Sequence, residues 1–328
     1  MSLLINMPTT PANLARNVAE NKAIYRRKFV DGFGFRANMN TISTGVRDLV
    51  PMARIRTGDI LRPGRTGVFA PTPNAVTFSA RTAVMRPVKG DVEFTELQIN
   101  QLWNTYIGHL QMLEGEAAQN DYILRMPFET IVVDEILKQA HESYRMRCAF
   151  LGTYNAAGTT SASCDDGLVT KMTAAFGADI PAANLVATAA PTPTNMVSIT
   201  QALVDLITAQ APAYINQPLN LYMSPRNAQY YRRNVLALYG AGHAQWQQQY
   251  PQAVLFEQPN ISIIEEVGMT GSNRIFVTEK ENLNFLTDSS NGANIRFLEK
   301  IRSWDVAIDW ISTLDFAQGD LIWSNTLA

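Results

Sequence analysis

The chain has 328 residues, 46% of them hydrophobic, with two cysteines, Cys148 and Cys164. That is enough for one large or two ordinary domains, and it excludes a disordered chain and a disulfide scaffold. The net charge of −2 hides an imbalance: residues 1–90 hold 14 Lys+Arg against 4 Asp+Glu, and residues 91–328 hold 13 against 25.

Residues 1–45 are polar and carry Pro8, Pro11, Gly32, Gly34 and Gly45. A short helix is expected near 12–28, with Arg26, Arg27 and Lys28 at its electronegative C-terminal end. The rest reads as an arm in need of a surface. The run Leu3, Leu4, Ile5 is too short for a secretory signal and lacks a basic flank. No apolar run reaches membrane length. A soluble protein kept in a reducing compartment is expected.

Residues 54–92 read as a long hairpin. Its first limb runs from Arg54 to about Ala70, broken by Pro63, Gly64 and Gly67, and Pro71 and Pro73 mark the turn. The second limb, Ala75 to Arg86, alternates Val76, Phe78, Ala80, Thr82 and Val84 with Thr77, Ser79, Arg81, Ala83 and Met85. Neither face is apolar enough for a core strand, and a lone two-stranded ribbon is marginal in water. A basic extension that cannot bury itself, joined to an acidic body, suggests that the extension of one copy lies on the body of another.

Helical spacing of Leu97, Trp103, Ile107 and Leu110 predicts a helix over 94–114. Val132, Ile136, Ala140 and Tyr144 predict a longer one over 127–152, with Pro127 in its first turn and Gly152 as its stop. At about 1.5 Å per residue it would be about 39 Å long, a spine for a domain. Loops follow at 152–167 and 181–194. A helix over 197–209 would be capped by Thr194 or Ser198. Leu219–Met223 reads as a strand, and Ser224 and Pro225 open a helix to Tyr239. The stretch 240–252 is loop-like. Strands are expected at 261–267, 274–278, 294–303, 304–313 and 320–324.

Chemical motifs are sparse. Gly32-Phe33-Gly34-Phe35-Arg36-Ala37 has the glycines of a dinucleotide loop, but no buried strand before it and no helix after it, so it reads as a turn. His109, His141 and His243 form no metal-binding pattern. Cys164 and His243 would need the fold to bring them together for cysteine catalysis. The arginines Arg47, Arg54, Arg56, Arg62, Arg65, Arg81 and Arg86 suit carboxylates or phosphates. Only Phe69 and Phe78 lie among them, too few for a single-strand stacking platform. Pairing with protein is therefore favoured over nucleic acid.

The order of these pieces resembles the major capsid proteins of tailed bacteriophages, the Hong Kong 97-type fold. The resemblance rests on Cys148-Ala149-Phe150-Leu151-Gly152 with Asp166-Gly167-Leu168, on Leu221-Tyr222-Met223-Ser224-Pro225-Arg226-Asn227, on Asn260-Ile261-Ser262-Ile263-Ile264 with Arg274-Ile275-Phe276-Val277, and on the strands from Asn294 to Ile311. It implies an α+β fold with an N-terminal arm (1–53), an extended β-ribbon loop (54–92), a peripheral domain with the spine helix (93–194), an apical domain (195–290) and C-terminal strands returning to the peripheral domain (291–328). It also implies a non-enzymatic protein without cofactor or metal. Such a protein assembles with itself into pentamers and hexamers of an icosahedral shell around double-stranded DNA. Scaffolding, portal and decoration proteins are its expected partners, and the host cytoplasm and the virion its locations.

Because the chain opens with an arm of about 50 residues, a separate scaffold or none is expected. Lys89 is the ribbon's single lysine, so covalent crosslinking is not expected. Contacts between subunits are expected from Arg54, Arg56, Arg62, Arg65, Arg81 and Arg86 to a neighbour's Asp165, Asp166, Glu265 or Glu266. Reversing Arg65 and Arg81 to Glu should weaken assembly and leave the body folded. Deleting residues 1–40 should leave a soluble body that cannot form regular shells. The rival readings are an encapsulin-type nanocompartment shell and a cytosolic α+β enzyme.

Overall fold

The computed structural model describes residues 28, 32–46, 48–57, 76–113, 119, 128–240, 253–288, 294–300 and 303–327. The helix expected at 12–28, apart from Lys28, lies outside them, as do residues 58–75 of the ribbon and the loop at 241–252.

Residues 33–44 do not behave as an arm. Phe33 and Phe35 are 1% and 0% exposed, on either side of the start of a 3₁₀ turn at Gly34–Asn38. Both rings pack on Phe285, with centroids 5.0 and 5.2 Å away. Strand β1 (Asn40–Thr44) then pairs in parallel with residues 284–288. Burying one such aromatic side chain contributes roughly 2–3 kcal/mol. The expectation that residues 1–40 can be deleted from an intact body is therefore corrected: that deletion removes part of the core.

Strands β2 (Leu49–Thr57) and β3 (Val76–Val84) form a sheet of two, from Leu49 opposite Val84 to Thr57 opposite Val76. At the root of this ribbon Met52, Ala83 and Met85 pack on Leu286. The chain then enters β4 (Arg86–Thr95), which pairs with residues 303–312 of the body. The ribbon thus begins at Leu49 rather than Arg54, and residues 86–92 do not belong to it. Alternation runs through Met85 without a break, so the sequence pattern carries no mark of the change in partner.

Helix α1 (Glu96–Met112) opens with a reciprocal capping box between Thr95 and Gln98. Helix α2 (Phe128–Ser143) is the expected spine, but at Tyr144–Cys148 it widens into a π-type turn. Helix α3 (Leu168–Ala175) and strand β5 (Leu185–Thr188) follow. Helix α4 (Met196–Gln210) buries Ile199, Leu203 and Ile207 at helical spacing; Asn195, not Thr194 or Ser198, precedes it. Strand β6 (Leu219–Met223) leads to α5 (Pro225–Tyr239), where the Ser224 hydroxyl accepts from the Asn227 amide as expected. The remaining strands are β7 (Val254–Leu255), β8 (Gln258–Glu265), β9 (Phe276–Thr278), β10 (Leu283–Asp288), β11 (Asn294–Glu299), β12 (Ser303–Phe316) and β13 (Trp323–Leu327).

Two sheets result. In the five-stranded sheet β12 is the hub, bonded to β4, β11 and β10, with β1 beyond β10. The six-stranded sheet runs β5-β13-β9-β6-β8-β7. Helices α1, α2 and α3 share the core of the first sheet, and α4 and α5 share that of the second. Tyr222 stacks on Phe276 with centroids 5.0 Å apart, and both belong to the first core although they sit on strands of the second sheet. Three strands cross the limits drawn from sequence. β5 and β13 lie in the six-stranded sheet, and β10 lies in the five-stranded one.

Candidate assembly surface

The expected intersubunit residues fall into three groups. Arg54 and Arg56 lie on β2, with backbones opposite Ser79 and Thr77. Arg62 and Arg65 lie outside the described residues. Arg81 and Arg86 are engaged within their own chain. The Arg81 guanidinium lies 3.8 Å from the centre of the Phe316 ring. Its Nε donates to Asp315 Oδ1 at 3.1 Å, and its Nη1 pairs with Asp179. Arg86 lies 4.1 Å from the centre of the Tyr154 ring. Arg81 is thus a clamp between the ribbon root and its own body. The expectation that reversing it would spare the body is corrected, because a glutamate there would face two carboxylates.

The acids are also largely engaged inside the protomer. Asp165 is 3% exposed, and its Oδ2 accepts from Thr313 at 2.6 Å and from Lys171 at 3.3 Å. Burial pushes its pKa up, and the Lys171 charge opposes that. Asp166 Oδ1 accepts from the Tyr154 amide at 2.9 Å. Glu266 is 1% exposed and receives Arg145 in a two-pronged pair at 2.8 and 3.2 Å, together with the Gly268 amide at 3.2 Å. Glu265 pairs with Arg232 at the surface. Asp165 and Glu266 have no exposed carboxylate to offer a neighbour; Glu265 keeps one.

Sequence reasoning missed the true partners. Asp179 and Asp315 stand 98 and 234 residues from Arg81, and Arg145 stands 121 from Glu266. No local spacing could have joined them.

A groove of about 1700 Å³ opens between α1, α2, the loop 154–164 and the β4–β12 face. Val88, Phe94, Tyr106, Ile136 and Trp310 line it, with Asp91, Glu135 and Asp309 among its charges. Leu97 and Met112 on α1 are 68% and 81% exposed, and Leu236 and Leu238 at the end of α5 are each 60% exposed.

The glycine motif is structural. A Cβ on Gly32 would lie 2.1 Å from the His141 ring, and a strand, not a helix, follows the turn. His141 lies edge-on to Phe33 at 4.5 Å, His109 is exposed at the end of α1, and His243 lies outside the described residues. Among the described residues no group of His, Cys, Asp and Glu could hold a metal, and no helix is long and apolar enough to cross a membrane.

No protein-family model matches the sequence. No curated protein matches it either. Solved structures do match, over nearly the whole chain. A chain of the satellite phage P4 procapsid is 11% identical, with 93% of this chain and 99% of that one covered and a TM-score of 0.56. The capsid of the empty GTA particle gives 12%, 90%, 90% and 0.51, and the capsid of Myoviridae phage XM1 gives 14%, 92%, 92% and 0.50. The chain has the fold of phage capsid proteins.

Proposed function

We propose that this chain is the major capsid protein of a tailed bacteriophage, a non-enzymatic protein that assembles into pentamers and hexamers of an icosahedral shell around double-stranded DNA. The observation that carries this reading is the capsid-type fold over about nine-tenths of the chain. A ribbon that, among the described residues, is two strands joined to no larger sheet supports it. In this reading the ribbon loop is 49–84, and its basic length beyond Met52 lies on the acidic body of a neighbour. The five-stranded sheet with α2 is the peripheral domain, and the six-stranded sheet with α4 and α5 is the apical domain. Arg54, Arg56, Arg62 and Arg65 make the contacts, with Glu265 or Asp166 among the acids that receive them. Assembly takes place in the host cytoplasm with the help of scaffolding and portal proteins.

The test is electron microscopy and sedimentation of the purified chain, alone and beside a lysate of infected host. Closed shells, tubes or five- and six-fold rings are expected, and native particles should hold DNA. Particles filled with an enzyme would replace this reading with an encapsulin-type shell. A monomer that stays monomeric with every other virion protein present would refute a shell role.

A further inference from the structure

The chain's two cysteines are 16 positions apart in sequence, and the fold brings Cys148 against the backbone next to Cys164. Cys148 ends the π-type turn after α2 and is fully buried. Its Sγ lies 3.9 Å from the carbonyl oxygen of Asp165, the residue after Cys164. The loop between them closes tightly on this point. Thr153 N donates to Ala162 O at 2.9 Å, and Gly167 N donates to Gly152 O at 2.9 Å. A Cβ on Gly152 would lie 2.5 Å from Asp165 O and 2.6 Å from Cys148 O, so only glycine lets the two backbones approach this closely. Cys164 is half-buried, and it lines the 1700 Å³ groove, which gives a reagent a path to its sulfur.

We propose that Cys148 and Cys164 are a disulfide site, closed by a low-molecular-weight disulfide oxidant such as glutathione disulfide, that ties the loop 153–163 to the end of α2. Cys148 Sγ faces Asp165 O at 3.9 Å and Cys164 Sγ faces Thr160 O at 4.0 Å, on the two sides of the same loop closure. The neighbouring Cys148 thiol draws the Cys164 pKa down, to about 7, and Cys164 and then burial push Cys148 up. Cys164 is therefore the attacking thiolate. Its sulfur attacks one sulfur of glutathione disulfide, forming a mixed disulfide and releasing one glutathione thiolate. Cys148 gives its proton to that thiolate and attacks the Cys164 sulfur, and a second glutathione leaves. Two protein thiols are oxidised and one glutathione disulfide is reduced to two thiols.

The test oxidises the intact folded chain with glutathione disulfide, blocks the remaining thiols in acid, and maps the digest by mass spectrometry without reductant. A linked Cys148–Cys164 peptide is expected, with free thiols falling from two per chain to almost none. Cys164→Ser, at a half-exposed position that keeps the fold, should leave Cys148 unmodified and form no link. A stable glutathione adduct on Cys164 beside a free Cys148 would overturn the proposal, as would Cys164 linked only between chains, or a Cys148–Cys164 link that forms only in denaturant.

Discussion

The ribbon and the junction between the two sheets both rest on arginine–carboxylate contacts, and they differ in how much of each contact is out of water. At the junction the Glu266 side chain is 1% exposed and that of Arg145 is 29%. The pair joins the end of α2 to the turn after β8, and Gly268 adds a third donor. At the ribbon root Arg81 is 18% exposed; it reaches Asp315 at 3% and Asp179 at 57%. Beyond the root the ribbon is two strands bonded to each other. The junction is a closed contact that one protomer completes alone. At the ribbon root the contact is half open, with Asp179 exposed to water and Asp315 buried.

The largest expected effect concerns the proposed intersubunit contacts of the ribbon. Arg62→Glu with Arg65→Glu should abolish most shell formation, with circular dichroism and thermal unfolding of the unassembled chain unchanged. Unaltered shell yield in sedimentation would remove these arginines from the interface.

Next comes the junction. Glu266→Ala leaves Arg145 unpaired beside a buried site and should cost about 3 kcal/mol, read from the denaturant midpoint. A loss below about 1 kcal/mol would mean that water replaces the carboxylate. Arg81→Glu should cost about 2 kcal/mol at the ribbon root, by repulsion from Asp315 and loss of the Phe316 stack. Amide exchange should quicken in β3 and stay slow in β6.

Asp165 sharpens the comparison through pH. Its folded-state pKa is raised by burial above the ordinary value of 3.8, so the folded chain holds more protons than the unfolded one in the window just above 3.8. Stability from this group is therefore greatest below that window and falls as pH rises through it. Asp165→Asn should flatten that fall in a series of unfolding curves and change stability at neutral pH by about 1 kcal/mol. An unchanged pH slope would count against a raised pKa. The smallest effect belongs to the exposed Arg232–Glu265 pair: Glu265→Ala should cost less than about 0.5 kcal/mol and lose even that in high salt. A larger effect on shell yield than on stability would mark Glu265 as a contact residue.

Much of the element order was legible in the residues. Leu219–Met223 with Ser224 and Pro225 specified a strand, a cap and a helix to Tyr239, because each signal is local. The apolar spacing in α1, α2 and α4 is legible for the same reason. Strand β10 is not legible in the sequence, although all six of its residues are buried. Leu-Asn-Phe-Leu-Thr-Asp shows no alternation, since Asn284, Thr287 and Asp288 are buried with their apolar neighbours. Phe33 and Phe35 carry no mark of the core in the sequence, because two phenylalanines among glycines have no period.

The sequence by itself determined where α1, α2, α4, α5 and most strands form, the imbalance between a basic end and an acidic remainder, and the capsid-like order of elements. Capping, periodicity and charge act over a few residues, and a linear chain displays them. Only the tertiary structure decided that β10 and β13 change sheets, that Arg81 clamps its own protomer, and that Asp165 and Glu266 are engaged within it. The side-chain contacts of Arg81, Asp165 and Glu266 behind those outcomes reach across 98 to 234 residues. Competition for one buried partner selects among many charges of the same type, and that selection exists only after the chain has folded.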